Sequence, residues 1–189
     1  MKKGNAMYYS KKGLLALGFG LSMGNVCAME PENWEVEKHL KKEISDNLKS
    51  IRKSFDPRDG FMKLLDKLAL VDEGIIAQGV LLSDDVYNSI SLILKDNLLQ
   101  NKPLTVIASL NTLVVKLESF IEKIEKSMGN MDELIVNAQV NNNIVMTKAQ
   151  LKQRLDLLLL YAFDILSDLK NAIAVTKESR YIQGFHDRW

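Results

Sequence analysis

Two stretches of this sequence place apolar residues at alternating steps of four and three, and this spacing restricts the fold more than any other feature. The first series is Val106, Leu110, Leu113, Leu117, Phe120 and Ile124. The second is Leu151, Leu155, Leu158, Ala162, Ile165, Leu169, Ala172 and Thr176. Such steps return to one side of an α-helix, and a heptad seam of this kind is buried against other helices. We therefore predict an all-α chain in which both helices share a core.

Both helices carry apolar residues beyond their seams. Ile107, Val114, Ile121 and Met128 widen the first seam at intervals of seven. The middle of the last helix is apolar on most sides, because the seam is joined there by Leu157, Leu159, Leu160, Tyr161, Phe163 and Leu166. A helix that is apolar all round belongs inside a protein, so we expect the last helix at the centre. The capping-box sequence Thr147-Lys148-Ala149-Gln150 marks its start.

The first part of the chain also has helical spacing. After Pro31, which suits a first helical position, one stripe recurs at steps of four or three: Val36, Leu40, Ile44, Leu48, Ile51 and Phe55. Glu37 and Lys41 have the favourable order for an i,i+4 pair on this helix. Asp56-Pro57 ends it, since proline disfavours a helical residue before it.

Two shorter helices are predicted next. The first begins near Asp59 and contains Gly74 and Gly79, which either weaken it or let another helix come close. Ser83, followed by two aspartates, is typical of an N-cap and predicts the start of the second. That helix ends at Asn101-Lys102-Pro103.

A short helix from Asn130 to about Gln139 and a loop at Asn141-Asn142-Asn143 complete the pattern. Short connections make neighbouring helices pack antiparallel, and heptad seams mesh at crossing angles near 20°. We predict an elongated antiparallel bundle of five to six helices over residues 29–179. Residues 180–189 lose the stripe and form a predicted aromatic C-terminal tail.

Residues 1–28 have the three parts of an export signal. Four lysines and no acidic residue precede a short apolar run from Gly13 to Met23. The small residues Val26-Cys27-Ala28 then provide a cleavage site after Ala28. A spanning helix needs about 20 mostly apolar residues, and this run is shorter. We predict a signal peptide cleaved after Ala28 and a secreted or periplasmic protein. A retained membrane anchor is one alternative. Lipid attachment at Cys27 is another, but Gly24 and Val26 fit its usual pattern poorly.

Cleavage would change the charge and the cysteine content of the chain. The whole sequence has 25 basic and 24 acidic residues. Because the leader holds four of the basic residues, the remainder has a net charge of −3, without the basic surface that nucleic-acid binding requires. Cys27 is the only cysteine and would be removed with the leader, so no disulfide, thiol nucleophile or thiolate ligand is expected in the mature chain.

The sequence offers few groups for catalysis or metal binding. His39 shares a helix face with Glu35 and Glu43, but this face is otherwise charged and solvated, and zinc needs three or four ligands in a shaped pocket. Asp156 and Asp164 lie about 12 Å apart by helix rise, too far to act as one carboxylate pair, and are expected to mark a solvated stripe. We predict no catalytic, cofactor-binding or metal-binding residue.

These features favour an exported helical protein that acts by protein–protein interaction, as a binding or structural module. Expected partners are other proteins or further copies of the chain, with Leu159 and Val114 as apolar positions available for self-association. The lysine- and asparagine-rich composition, with three prolines, is typical of AT-rich bacterial genomes and suggests a host-directed role. The alternative is an amphipathic lipid-binding or membrane-surface protein, and an enzyme with carboxylates between helices ranks third. Membrane contact is otherwise expected only through the leader or weakly at the surface.

Overall fold

The computed structural model describes residues 32–56, 60–68, 71–96, 98–142 and 145–186. These residues form helices and no strand, which confirms the all-α prediction. The seven helices are α1 (Glu32–Ser54), α2 (Gly60–Asp66), α3 (Glu73–Lys95), α4 (Leu98–Asn101), α5 (Pro103–Gly129), α6 (Met131–Asn142) and α7 (Lys148–His186). The predicted leader, residues 1–28, lies outside the described residues.

The two heptad seams lie in the core, as the sequence predicted. All six positions of the first seam, on α5, are buried, and so are all eight of the second, on α7. The stripe of α1 is buried from Ile44 to Phe55, whereas Leu40 is partly buried and Val36 is 46% exposed. The core therefore covers less of the first turns of α1 than of the helix that follows.

Four long helices provide most of the packing. Helix α7 packs against α5 and α1, while α3 packs against α5 and α1. The short helix α2 contacts α3 and α7, and α6 contacts α7 and α5. Because each long helix buries its apolar stripe against two others, burial of side chains rather than isolated helix propensity stabilises these elements.

Aromatic side chains join α1, α2, α5 and α7. The rings of Phe55 and Phe61 have centroids 4.7 Å apart, and Phe61 also contacts Phe120 edge-on and Tyr161 in a stacked geometry. The Tyr161 hydroxyl donates to the Ser54 carbonyl. The end of α1 and the start of α2 are thus held to α7 by ring contacts, which contribute beyond their buried area, and by one hydrogen bond.

The predicted boundary between the second and third helices is wrong. Helix α2 is only seven residues long, and α3 already begins at Glu73, with Asp72 as its N-cap accepting from the Ile75 amide. Ser83 therefore lies inside α3, where it is buried and donates to the Phe55 carbonyl. Its position before two aspartates resembles a cap, but the hydroxyl contacts α1 instead.

Gly79 allows α2 to pack closely against α3, which is one of the two roles that the sequence suggested for this glycine. A Cβ atom at this position would lie 2.7 Å from the Cδ atoms of Leu65 on α2, so only glycine leaves room for Leu65 in its present conformation. At Gly74 the nearest atom is the flexible end of Lys123 on α5.

The capping box at the start of α7 is confirmed. The Gln150 amide donates to the Thr147 hydroxyl at 3.2 Å, and the Thr147 amide donates to the Gln150 side chain at 3.0 Å. The predicted i,i+4 pair of Glu37 and Lys41 also forms. These interactions are local in sequence, which explains why the pattern alone predicted them.

Three other expectations need correction. The middle of α7 is not enclosed, because Leu157, Leu160 and Phe163 are exposed. Helix α6 continues to Asn142, so the predicted asparagine loop is partly helical. Helix α7 continues to His186, into the stretch predicted as an aromatic tail.

Candidate interaction surface

The groups first considered for chemistry are spread over solvated surfaces. His39, Glu35 and Glu43 are exposed on α1, and no group of three or more histidine, cysteine or acidic residues among the described residues could hold a metal ion. Asp164 is exposed and Asp156 forms an ion pair with Lys152 at 2.7 Å. This position agrees with the solvated stripe expected for the two aspartates. The side chain of His186 lies outside the described residues.

Two of the buried serine hydroxyls contribute to helix packing. Ser127 on α5 donates to Asp72, the N-cap of α3, and Ser83 on α3 donates to the Phe55 carbonyl. Each hydroxyl is already engaged with a structural acceptor, and neither contacts a histidine. These hydrogen bonds explain why the two serines are buried, and they fix the positions of α3 and α5.

The apolar positions predicted for self-association are less exposed than other large apolar side chains. Val114 is only 8% exposed, and Leu159 is partly buried against the core. The most exposed large apolar side chains on the long helices are Leu81, Leu92, Leu104, Val115 and Leu160.

Three of these residues lie in parts of α3 and α5 that contain no charged residue. Residues 86–94 of α3 and residues 103–115 of α5 have no Asp, Glu, Lys or Arg. The exposed side chains of these two stretches that point away from the core form what we call the charge-free face. Its main residues are Asn88, Leu92, Leu104, Ala108, Asn111 and Val115.

Hydrogen bonds and an ion pair between α3 and α5 fix how the two parts of the charge-free face lie beside each other. From the start of α3 onward, Asp72 contacts Ser127, Gln78 donates to Ser119 at 3.2 Å, and Asp85 pairs with Lys116. Partners on α5 thus move back along the chain as those on α3 move forward. Continued for seven residues from Asp85 and Lys116, this register places Leu92 level with Ser109, beside Ala108.

The charge-free face differs from the outer side of α1 and from the last part of α7. The exposed side of α1 includes Lys38, Lys42, Asp46, Lys49 and Lys53, and the last part of α7 includes Asp168, Lys170, Lys177, Glu178 and Arg180. Protein interfaces are depleted of charged residues at their centres. Shorter uncharged runs at 134–142 of α6 and 157–163 of α7 also expose apolar side chains. The two runs of the charge-free face lie beside each other and are longer together, so we take this face as the candidate interaction surface.

Helix α5 carries more apolar residues than its buried side contains. Among the described helices it alone is long and apolar enough to cross a membrane by length and composition, although only 44% of its most apolar window is buried. A core helix of a soluble protein meets the same criterion. The excess of apolar residues comes partly from exposed Leu104, Ala108 and Val115.

The apolar positions of α5 alone do not reveal this surface, because its distinguishing feature is the absence of charge between them. The signal was present in the two uncharged runs, at 86–94 and 103–115. Their contact across α3 and α5 was not readable from spacing, since it depends on the register of the two helices. Comparisons with protein-family models, curated proteins and solved structures found no match to this chain.

Proposed function

We propose that this chain is an exported helical-bundle protein that acts by binding other proteins through the charge-free face. The observation that carries the proposal is the group of exposed leucine and valine side chains in two adjacent uncharged helix segments. Large apolar side chains surrounded by small polar ones can be desolvated without burying an unpaired charge, which is a main obstacle to association. The proposal assigns no catalytic role to the chain.

The bundle proposed here has four long helices, α1, α3, α5 and α7, in antiparallel order. Its support is the contact of each of these helices with two others and the reversed order of contact partners between α3 and α5. Between α1 and α3, Phe55 accepts from Ser83 and Arg52 lies over the Tyr87 ring, so partners again move in opposite directions along the chain. Antiparallel neighbours with short connections are the usual arrangement of such bundles.

Export is proposed from residues 1–28 alone, through the basic start, the short apolar run and the small residues before the bond after Ala28. The test fuses a reporter enzyme that is active only outside the cytoplasm to the C-terminus of the full chain, and determines the N-terminus of the released fusion protein. Reporter activity and a new N-terminus at Met29 are expected. A chain that stays in the cytoplasm with Met1 intact would contradict export.

The test of protein binding uses matched surface variants of the full chain as bait in affinity capture. A partner bound through the charge-free face is expected to be recovered with the unchanged chain and with Leu160→Lys, and lost with Val115→Lys. The two substituted side chains have similar exposure, 60% and 64%, so the comparison separates a loss of binding from a general effect of added charge. Recovery of the same proteins with all three baits would contradict binding through this face.

A second candidate, binding to a lipid surface, is favoured by the apolar composition of α5. Membrane-surface helices usually combine an apolar side with basic residues, and residues 103–115 contain none. Flotation of the full chain with vesicles of neutral and anionic lipids tests this candidate. Flotation that is lost in Val115→Lys would support lipid binding in place of protein binding.

A further inference from the structure

The outward side of α5 has a short heptad seam of its own. Leu104, Ala108, Asn111 and Val115 are all exposed and follow one another at steps of four, three and four. This is the spacing by which one helix packs along another. It lies on the side opposite the buried seam, so α5 carries one seam for the core and a second that no described residue covers.

The composition of this outer seam suits a closely packed helix partner. Apolar Leu104 and Val115 lie at its ends, about 16 Å apart by the rise of eleven residues. The small Ala108 lies between them and allows close approach of a second backbone. Asn111 is the single amide, and one polar residue in a seam is a known means of fixing helix register.

The charged residues that flank the charge-free face differ in sign at its two ends. Near Leu104, the exposed ends of α3 and α5 carry Lys95 and Lys102, with Asp96 beside them. Near Val115, the exposed carboxylates are Asp84 and Glu122. Two ion pairs also lie at this second end, Lys116 with Asp85 and Glu118 with Lys170, and exposed Lys126 follows Glu122 one turn further from Val115. The charges nearest the face are therefore mainly positive at the Leu104 end and negative at the Val115 end.

We infer that the charge-free face binds a second copy of this chain, with the two α5 helices antiparallel about a twofold axis; this inference rests on the proposed function and names its partner. A twofold interface uses the same patch on both subunits. With the axis between Ala108 and Asn111, Leu104 packs against Val115 of the second copy, and Ala108 packs against its Asn111. The α3 helices then meet near Leu92 of both copies.

The antiparallel orientation follows from the charges. It brings the lysine end of each face, at Lys95 and Lys102, toward the carboxylate end of the other, at Asp84 and Glu122. A parallel pair would place equal charges together at both ends, which disfavours that arrangement. Complementary charges at the rim select orientation, while the central apolar contacts provide most of the affinity.

A second copy fits this face better than it fits the outer side of α1. That side is crowded with charged side chains, among them Lys42, Asp46 and Lys49, and the desolvation of charges opposes association. The charge-free face has no such charges between its ends. Its seam is short, so we expect a weak dimer with a dissociation constant on the order of micromolar.

The first experiment measures the mass of the full chain by sedimentation over a range of concentrations. A dimer that dissociates on dilution is expected for the unchanged chain. Leu92→Lys places two ammonium groups near the axis, and Val115→Lys places one against Leu104 of the second copy, so both are expected to be monomeric at concentrations where the unchanged chain is dimeric. Leu160→Lys, at a similarly exposed position on α7, is expected to remain dimeric.

Circular dichroism spectra and thermal unfolding of the variants verify that the substitutions leave the fold intact. A monomeric unchanged chain at about 100 µM, well above the expected dissociation constant, would overturn the inference. A dimer that resists Leu92→Lys and Val115→Lys, or that is lost in Leu160→Lys, would overturn it as well. A monomer that floats with lipid vesicles would overturn it in favour of a membrane surface.

The second experiment tests the orientation by reversing charges. Asp84→Lys alone and Lys95→Glu alone are each expected to raise the dimer dissociation constant several-fold, because each places like charges together at both ends of the interface. The double variant restores opposite charges and is expected to recover most of the affinity. Absence of this recovery would overturn the antiparallel arrangement. A chain that does not self-associate would contradict this inference but not the proposed function. The capture experiment tests the proposed function separately, through a different protein that is recovered with the unchanged chain and lost with Val115→Lys.

Discussion

The Cδ1 and Cδ2 atoms of Leu65 both lie 2.7 Å from the position that a Cβ atom on Gly79 would occupy. Leu65 is buried in the core, so its methyl groups cannot move aside without displacing neighbours. We expect Gly79→Ala to lower the free energy of unfolding by about 1 kcal/mol, because overpacking costs about 1–3 kcal/mol and the helix preference of alanine offsets about 1 kcal/mol. Urea unfolding followed by circular dichroism at 222 nm measures the change.

Gly74→Ala is the matched control for this prediction. The added Cβ would meet the end of the Lys123 side chain at 2.8 Å, and a lysine end can rotate away. We expect unchanged stability or a gain of up to about 1 kcal/mol. In a Leu65→Ala background, Gly79→Ala is expected to become stabilising, since the obstructing methyl groups are absent. Equal effects of Gly79→Ala in both backgrounds would contradict the close approach of α2 to α3.

The contact between Leu65 and Gly79 joins two helices and could not be predicted from the sequence pattern of either one. Buried seams on α5 and α7 were predictable because a helix repeats its own side every few residues, and the Thr147–Gln150 capping box was predictable because both partners are local. The start of α3 was not. Ser83 with the two aspartates after it has the local pattern of a cap, but its hydroxyl donates to the carbonyl of Phe55, the residue directly after α1.

The candidate surface also has features that are readable from local sequence and features that depend on contacts between distant residues. The two uncharged runs are visible in the sequence, and so is the spacing of Leu104, Ala108, Asn111 and Val115. The phase of the buried seam also places Val115 on the outer side of α5 and Val114 beside the core. The register between α3 and α5 was not readable, because the contacts that set it, such as Asp72 with Ser127, join residues distant in sequence.

Ser83→Ala tests the contact that replaces the predicted N-cap. The substitution removes the donor to the buried Phe55 carbonyl, and we expect a loss of about 1 kcal/mol in the free energy of unfolding, the usual value for one hydrogen bond. Ser167→Ala, at an exposed position on α7, serves as the control and is expected to gain a few tenths of a kcal/mol from helix preference. A stabilising effect of Ser83→Ala equal to that of the control would contradict the role of the hydrogen bond.

Ser91→Ala is expected to act in the opposite direction. The Ser91 hydroxyl is shielded from solvent and has no hydrogen-bond partner among the described residues. An unsatisfied buried hydroxyl costs about 1–3 kcal/mol, and alanine adds helix preference. We expect the free energy of unfolding to rise by about 1 kcal/mol, measured by the same urea titration. A gain no larger than that of Ser167→Ala would mean that the Ser91 hydroxyl is satisfied by water.

Asp72 makes two separable contributions to the start of α3. One carboxylate oxygen accepts from the Ile75 amide at 3.0 Å, as an N-cap does, and the other accepts from the Ser127 hydroxyl of α5. We expect Asp72→Ala to lower the free energy of unfolding by about 2 kcal/mol, since loss of a cap costs about 1 kcal/mol and loss of the second hydrogen bond about as much. Asp72→Asn keeps a capping oxygen and is expected to lose less than half of this.

A double-mutant cycle separates the two contributions of Asp72. Ser127→Ala removes only the contact to α5, so the cycle of Asp72→Ala with Ser127→Ala should show a coupling of about 1 kcal/mol. The remaining effect of Asp72→Ala in the Ser127→Ala background then measures the cap alone. Additive effects of the two substitutions would mean that Ser127 does not stabilise the carboxylate. In that case the contact would not hold α3 and α5 in register, and the alignment of Leu92 with Ser109 would depend on the exposed Asp85–Lys116 pair and the contact of Gln78 with Ser119, both of which are expected to be weak.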